Sequence, residues 1–233
     1  MSYFRTAVAA TLALASFSVQ AVEYSPRFDR WQEVIEPDDY AIGTDLSSVS
    51  PYVTLSTFNG APVYASPLAT KVGEDPLNGF DSGVLGDQVF SWKPDINSEW
   101  YYLYEGDDLL VATFSEPVAA FSITAAEVNG NDGNCCSSDP VILFVYLYDG
   151  DDNLVDKVIV NGTNAVTSYL GNKEDSESAH PVYLYQYSGK PVSRIMIAGE
   201  SEPTTVDRLT FTPISKLPRL LRYYYSKWAK SSE

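Results

Sequence analysis

The sequence predicts an all-β fold, an antiparallel β-sandwich or jelly roll followed by a short basic helix. Three observations predict it. Short apolar or alternating runs are separated by Gly, Asn, Asp and Pro along most of the chain. Aromatic residues are abundant, with 17 Tyr, 10 Phe and 4 Trp, and runs of strong helix formers are few before residue 214. β-Branched and aromatic side chains suit a pleated, half-buried surface, and many short strands between turn signals point to a sandwich rather than a βαβ fold.

Taken in order, residues 1–21 lie outside this fold. Arg5 lies in the short polar start, an apolar stretch runs from Ala7 to Val19, and Val19-Gln20-Ala21 ends in a small-residue site. That pattern predicts a secretory signal peptide cleaved after Ala21, with an apolar core too short to span a bilayer. The protein is then secreted or periplasmic. Residues 22–30 form a lead, 31–213 the β-sandwich domain and 214–233 a basic aromatic tail.

Within the domain, Tyr52 to Phe58 alternates apolar and polar residues, Asn59-Gly60 makes a turn, and Pro62 to Ala65 resumes as strand. Val118–Ile123 and Val141–Tyr148 read as buried strands. Asp149-Gly150-Asp151-Asp152-Asn153 and Leu154–Val160 complete a hairpin with the second of these. The hairpin tip superficially resembles a calcium loop, but Val160 stands at the twelfth position, where an EF-hand has Glu, and Asp and Gly are also what a tight turn demands. Pro181–Tyr187, Ser193–Ala198 and Thr205–Phe211 read as three further strands. In the tail, Leu217–Lys230 reads as a helix with Leu220, Leu221, Tyr224 and Trp228 on one side and basic residues around it.

Charge bounds the partners. The chain has 15 Lys+Arg and 31 Asp+Glu. Setting aside Arg5 and the tail's five cations and one acid leaves 9 cations against 30 acids between residues 22 and 212, a net of −21. Such a body repels nucleic acid and anionic membranes. The tail carries +4, and basic amphipathic helices bind anionic membranes or acidic partners; docking on the protein's own acidic body is the competing reading.

The two cysteines are adjacent, Cys135 and Cys136. Neighbouring Cα atoms are about 3.8 Å apart, too close for an ordinary loop-stapling disulfide. In an oxidising compartment the pair would form a vicinal disulfide, a small strained ring in a polar loop with Asp132 and Asn134. Trp92 and Trp100 flank a Pro/Asp/Asn turn, where flat rings can stack on a sugar; alternation equally places Trp100, Tyr102 and Tyr104 on one core-facing side of a strand.

Val34 to Ser47, continuing into Tyr52–Ser56, then Pro117–Ile123, Tyr148–Leu154 and Val206–Phe211, resembles bacterial exported β-sandwich proteins of the PEP-CTERM-associated, lectin-like jelly-roll kind. Lys216–Glu233 departs from them in lacking the Pro-Glu-Pro signal and the transmembrane helix of their sorting tail. The resemblance implies a non-enzymatic surface or matrix role. It also implies a structural calcium where an acid of the first strand meets an Asp of the last. Here those are Glu36 and Asp207, with Asp38 as a further ligand, and a turn-capping Asp207 is the alternative. The Cys135-Cys136 loop is locally similar to the half-cystine pair that packs on fucose in F-type lectins, though no Arg-Gly-Asp precedes it and His180 lies downstream.

The sequence therefore favours an exported, non-catalytic protein that binds glycan or matrix material, with calcium at Glu36, Asp38 and Asp207 left open against solvated or turn-capping acids. A structural or adhesive surface component acting through protein contacts is the alternative. A glycoside hydrolase is third, since two suitably spaced carboxylates would be enough for it. No G-x-S-x-G or zinc spacing is present.

Overall fold

Two long strands organise the fold because each serves two sets of partners. The computed structural model describes residues 31–67, 88–92, 109–127, 143–160, 166–170, 180–199 and 204–230. The strands are β1 (Glu33–Ile35), β2 (Val53–Thr57), β3 (Tyr64–Pro67), β4 (Gln88–Ser91), β5 (Leu110–Glu127), β6 (Leu143–Tyr148), β7 (Leu154–Val160), β8 (Val166–Leu170), β9 (His180–Gly199) and β10 (Thr204–Pro213). A helix, α1 (Arg219–Lys230), follows. All pairings are antiparallel.

The first part of β5, around Leu110–Phe114, pairs with β2 on one side and with the end of β9 on the other; β6 and β7 continue outward from β9. The second part, from Val118, pairs with β10 and with the start of β9, flanked by β1 and β8. Between the two parts the ladder slips at Thr113/Val118 and again at Val118/Ala120. A bulge shifts the two-residue alternation by one. Among the buried positions, Leu110, Ala112 and Phe114 alternate before it, and Phe121, Ile123 and Ala125 after it.

The two halves share one core. Phe114 from the first and Phe211 from the second meet with ring centroids 5.1 Å apart, and Phe121 stacks on Tyr187 at 5.1 Å. The fold is thus the antiparallel all-β sandwich expected from the alternating runs. A separate pair, β3 with β4, is tied to the preceding loop by Gly43 N–H to Ala65 O (2.7 Å) and Leu46 N–H to Val63 O (2.7 Å).

Two expectations need correction, and the hairpin tip keeps the turn expected of it. Residues 181–187 and 193–198 are one continuous strand, β9. Ser188-Gly189-Lys190-Pro191, a turn signal in the sequence, is absorbed at the irregular pairing of Ser188 and Val192 with Ala120 and Val118, where a proline's missing N–H is tolerated. The apolar side expected of the helix is divided: Leu220 and Tyr224 face solvent, while Leu221 and Tyr225 are half-buried. The hairpin tip is a turn. Asp149 Oδ1 accepts from the N–H of Asp151 (3.0 Å) and of Asn153 (2.9 Å), and Asp152 takes the left-handed conformation at φ 66°. Those hydrogen bonds hold the Asp149 carboxyl below its usual pKa, with the Asn153 N–H as the main cause.

Candidate metal centre

The site forms where the first strand meets the last. Ile35 lies opposite Leu209 in the β1–β10 ladder, so the chain leaving β1 at Glu36 passes beside Arg208. Pro37 then starts a 3₁₀ turn over Pro37–Asp39, closed by Asp39 N–H to Glu36 O (3.0 Å) and Tyr40 N–H to Pro37 O (3.1 Å). Proline at the first position of such a turn has its φ preset and lacks an N–H that would have no partner there. The turn brings Asp38 back over Glu36.

Asp207 arrives from the other side through a bulge. The β10–β5 register passes from Val206–Ala125 to Arg208–Thr124, leaving Asp207 as the extra residue. Val206 and Asp207 are in consequence both buried, and Arg208 is turned outward. A bulge of this kind re-aims a side chain that a regular ladder would hold elsewhere.

Carboxylate oxygens of Glu36, Asp38 and Asp207 all lie within 4.8 Å of one another. Two oxygens bound at 2.3–2.6 Å to one calcium are at most about 5 Å apart, so the span fits a single ion. Glu36 is only 8% exposed and Asp207 1%. Glu36 Oε2 accepts from Arg208 Nε in an ion pair. Glu36 Oε1 and Asp207 Oδ1 are buried and have no hydrogen-bond partner. Buried polar atoms are rarely left so, and one on each of two neighbouring carboxylates, beside a third carboxylate, makes a place for a cation.

The electrostatics agree with that geometry. Burial pushes the Asp207 carboxyl up to about 9, helped by the charge of Glu36, with Arg208 opposing. Burial also raises Glu36, against the stabilising contact with Arg208. The donor set is all carboxylate oxygen, which suits hard cations such as calcium, magnesium or manganese over zinc or copper.

The three acids named from the sequence are thus brought together, Glu36 and Asp207 buried and Asp38 exposed, and the cluster could hold a metal ion. Arg208 was not anticipated. Its signal was its position beside Asp207, but its meeting with Glu36, 172 residues away, depends on a register that the sequence does not display. Trp92 directly follows β4 and is half-buried. Cys135, Cys136, Asp132, Asn134 and Trp100 lie outside the described residues.

No described protein family and no curated protein matches this sequence. Among solved structures, the chain is similar to the catalytic unit of a GH87 α-1,3-glucanase from Streptomyces thermodiastaticus, with 13% identity and a TM-score of 0.35 over 69% of this chain and 26% of the glucanase unit. The chain therefore spans about a quarter of that unit. It is also similar to the K2 cleaved adhesin domain of Lys-gingipain (12% identity, TM-score 0.38, 78% of this chain and 97% of the domain). A third likeness is to a family 6 carbohydrate-binding module (14% identity, TM-score 0.26, 78% and 93%).

Proposed function

We propose that this chain is an exported, non-catalytic β-sandwich that binds glycan or extracellular matrix material and is fastened by calcium at Glu36, Asp38 and Asp207. The observation that carries the metal part is the meeting of three carboxylates within 4.8 Å at the β1–β10 junction, two of which each keep a buried oxygen without a hydrogen-bond partner. A cation there is structural. Both main ligands are more than nine-tenths buried, and one oxygen of Glu36 is already held by Arg208. Its role is to fix the edge strand β1 and the 3₁₀ turn onto β10. The ligand class follows from the sequence, in which Trp92, Trp100 and the Cys135-Cys136 loop with Asp132 and Asn134 offer rings and polar groups to a sugar.

A glycan array probed with the full chain, with and without chelator, and repeated with Cys135→Ser, tests this reading. Binding to a glycan class that weakens in chelator and in the variant supports it. No binding anywhere sinks the lectin-like part. Retention of matrix or cell association without any sugar response would favour the alternative, an adhesive component acting through protein contacts.

A further inference from the structure

Helix α1 presents an apolar and cationic face on which Leu220, Tyr223 and Tyr224 are more than half exposed. The chain leaving β10 is first pinned down. Ser215 donates from both its N–H (3.2 Å) and its hydroxyl to the Glu116 carboxylate, Lys216 pairs with Glu33, and Leu217 is buried. The helix then runs for twelve residues, Arg219–Lys230, beginning with Arg222 N–H to Pro218 O at 3.0 Å. It rests against β9 through the side on which Leu221 and Tyr225 are half-buried, and burial raises the Tyr225 hydroxyl above its ordinary pKa.

The other side is open. Leu220 is 66% exposed, Tyr223 53% and Tyr224 60%, and Arg219 and Arg222 are exposed with them. Tyr223 and Tyr224 meet edge to face at 6.0 Å. Positions 220, 223 and 224 are neighbours at the spacing of one helical turn. An exposed Leu beside two Tyr, next to arginines, on a helix with four cations and no acid, has the composition of an interfacial helix. Such helices bury apolar and aromatic groups at the headgroup boundary while cations pair with lipid phosphates. At twelve residues it is too short to span a bilayer, and no helix among the described residues is long and apolar enough to do so.

We propose that α1 is a peripheral membrane anchor that lays this face on anionic lipid. Charge complementarity selects the occupant and sets the orientation. The tail carries +4 while residues 22–212 carry −21, so an anionic bilayer attracts the helix and repels the rest. The rigid mount at 214–217 converts that asymmetry into a fixed attitude, with the sandwich held away from the lipid. A second copy's acidic body would also complement the cations, but an exposed Leu and aromatic pair beside arginines suits a headgroup boundary.

The test is co-sedimentation of the full chain with vesicles of roughly one-third phosphatidylglycerol in phosphatidylcholine and with vesicles of phosphatidylcholine alone. The chain partitions to the anionic vesicles, less so at high salt. The double variant Arg219→Gln/Arg222→Gln binds more weakly by about fivefold for each cation removed. Leu220→Ser with Tyr224→Ser also weakens binding, with the salt dependence retained. These side chains are exposed, so thermal melts of both variants match the parent. Equal binding to both vesicle types, or variants that bind as the parent does, overturns the proposal. So does a concentration-dependent dimer that the arginine variant abolishes in the absence of lipid, which would make the second copy the occupant.

Discussion

Replacing Asp207 by Asn separates the cost of burying this carboxyl from the gain of a bound cation, because chelator exposes the first and calcium the second. In the absence of metal the folded protein must keep this carboxyl protonated. Its folded pKa is about 9, against an ordinary value of 3.8. Holding that proton at about pH 7.5 costs up to about 5 kcal/mol relative to the unfolded chain, at about 1.4 kcal/mol per pH unit. Asparagine has nearly the same shape, carries no charge and keeps a donor toward Glu36. Asp207→Asn in chelator should therefore be more stable than the parent. A chain of this size moves by about 2–4 °C per kcal/mol, so the expected rise in Tm is on the order of 10 °C. In calcium at about 100 times Kd the parent should gain about 2.7 kcal/mol, and the variant, with one ligand charge missing, far less. Differential scanning fluorimetry with chelator or calcium reads both effects. A variant less stable than the parent in chelator, or one whose Tm calcium raises as much as the parent's, would refute the reasoning.

Other outcomes follow from the same structure. Because the folded pKa of Asp207 lies above its unfolded value, the stability it contributes is full below about pH 4 and is lost as pH rises toward about 9. The calcium-induced shift should grow over that window, since metal binding must displace the proton; melts at about pH 5 and about pH 8, with and without calcium, check this. Phe211→Ala empties a fully buried site against Phe114 and should cost about 3–5 kcal/mol, measured by urea denaturation. Asp149→Ala removes the acceptor for two N–H groups at the β6–β7 turn. It should speed amide exchange in β6 and β7 and leave the calcium response intact.

How much of this was legible in the sequence depended on the distance over which each feature is determined. The β6–β7 hairpin is local, with alternation on both sides of an Asp-Gly-rich turn, and it pairs as the pattern implies. Alternation also places Asp207 on the same face as Leu209 and Phe211, so a buried acid there was readable, although the bulge that buries Val206 as well was not. The continuity of β9 was hidden because Ser188-Gly189-Lys190-Pro191 has the composition of a turn. Its long-range pairing with β5, from Ala126–Val182 through to Leu110–Ile197, together with β8 and β6 at its two ends, keeps it extended. The division of α1 into a docked and an open side was likewise invisible. The helical period groups Leu220, Leu221 and Tyr224 together, and which of them face the body is decided by the mount at 214–217 and by β9.

The shared strands β5 and β9 have a kinetic consequence. Neither half of the sandwich can be completed alone, because each takes its central ladder from the same two strands. Among the described residues, β1, one of the first segments of the domain to emerge, pairs only with β10, one of the last. A chain built on such distant pairings folds slowly, since loop closure must precede any compensating contact. During that interval β1 and the uncovered margin of β5 are exposed to chaperones, to proteases and to other copies of the chain. The Asp207 bulge and the turn at Glu36 form in the step that ends this exposure, so a cation bound there acts as a latch on the last closure and should slow reopening more than it speeds folding.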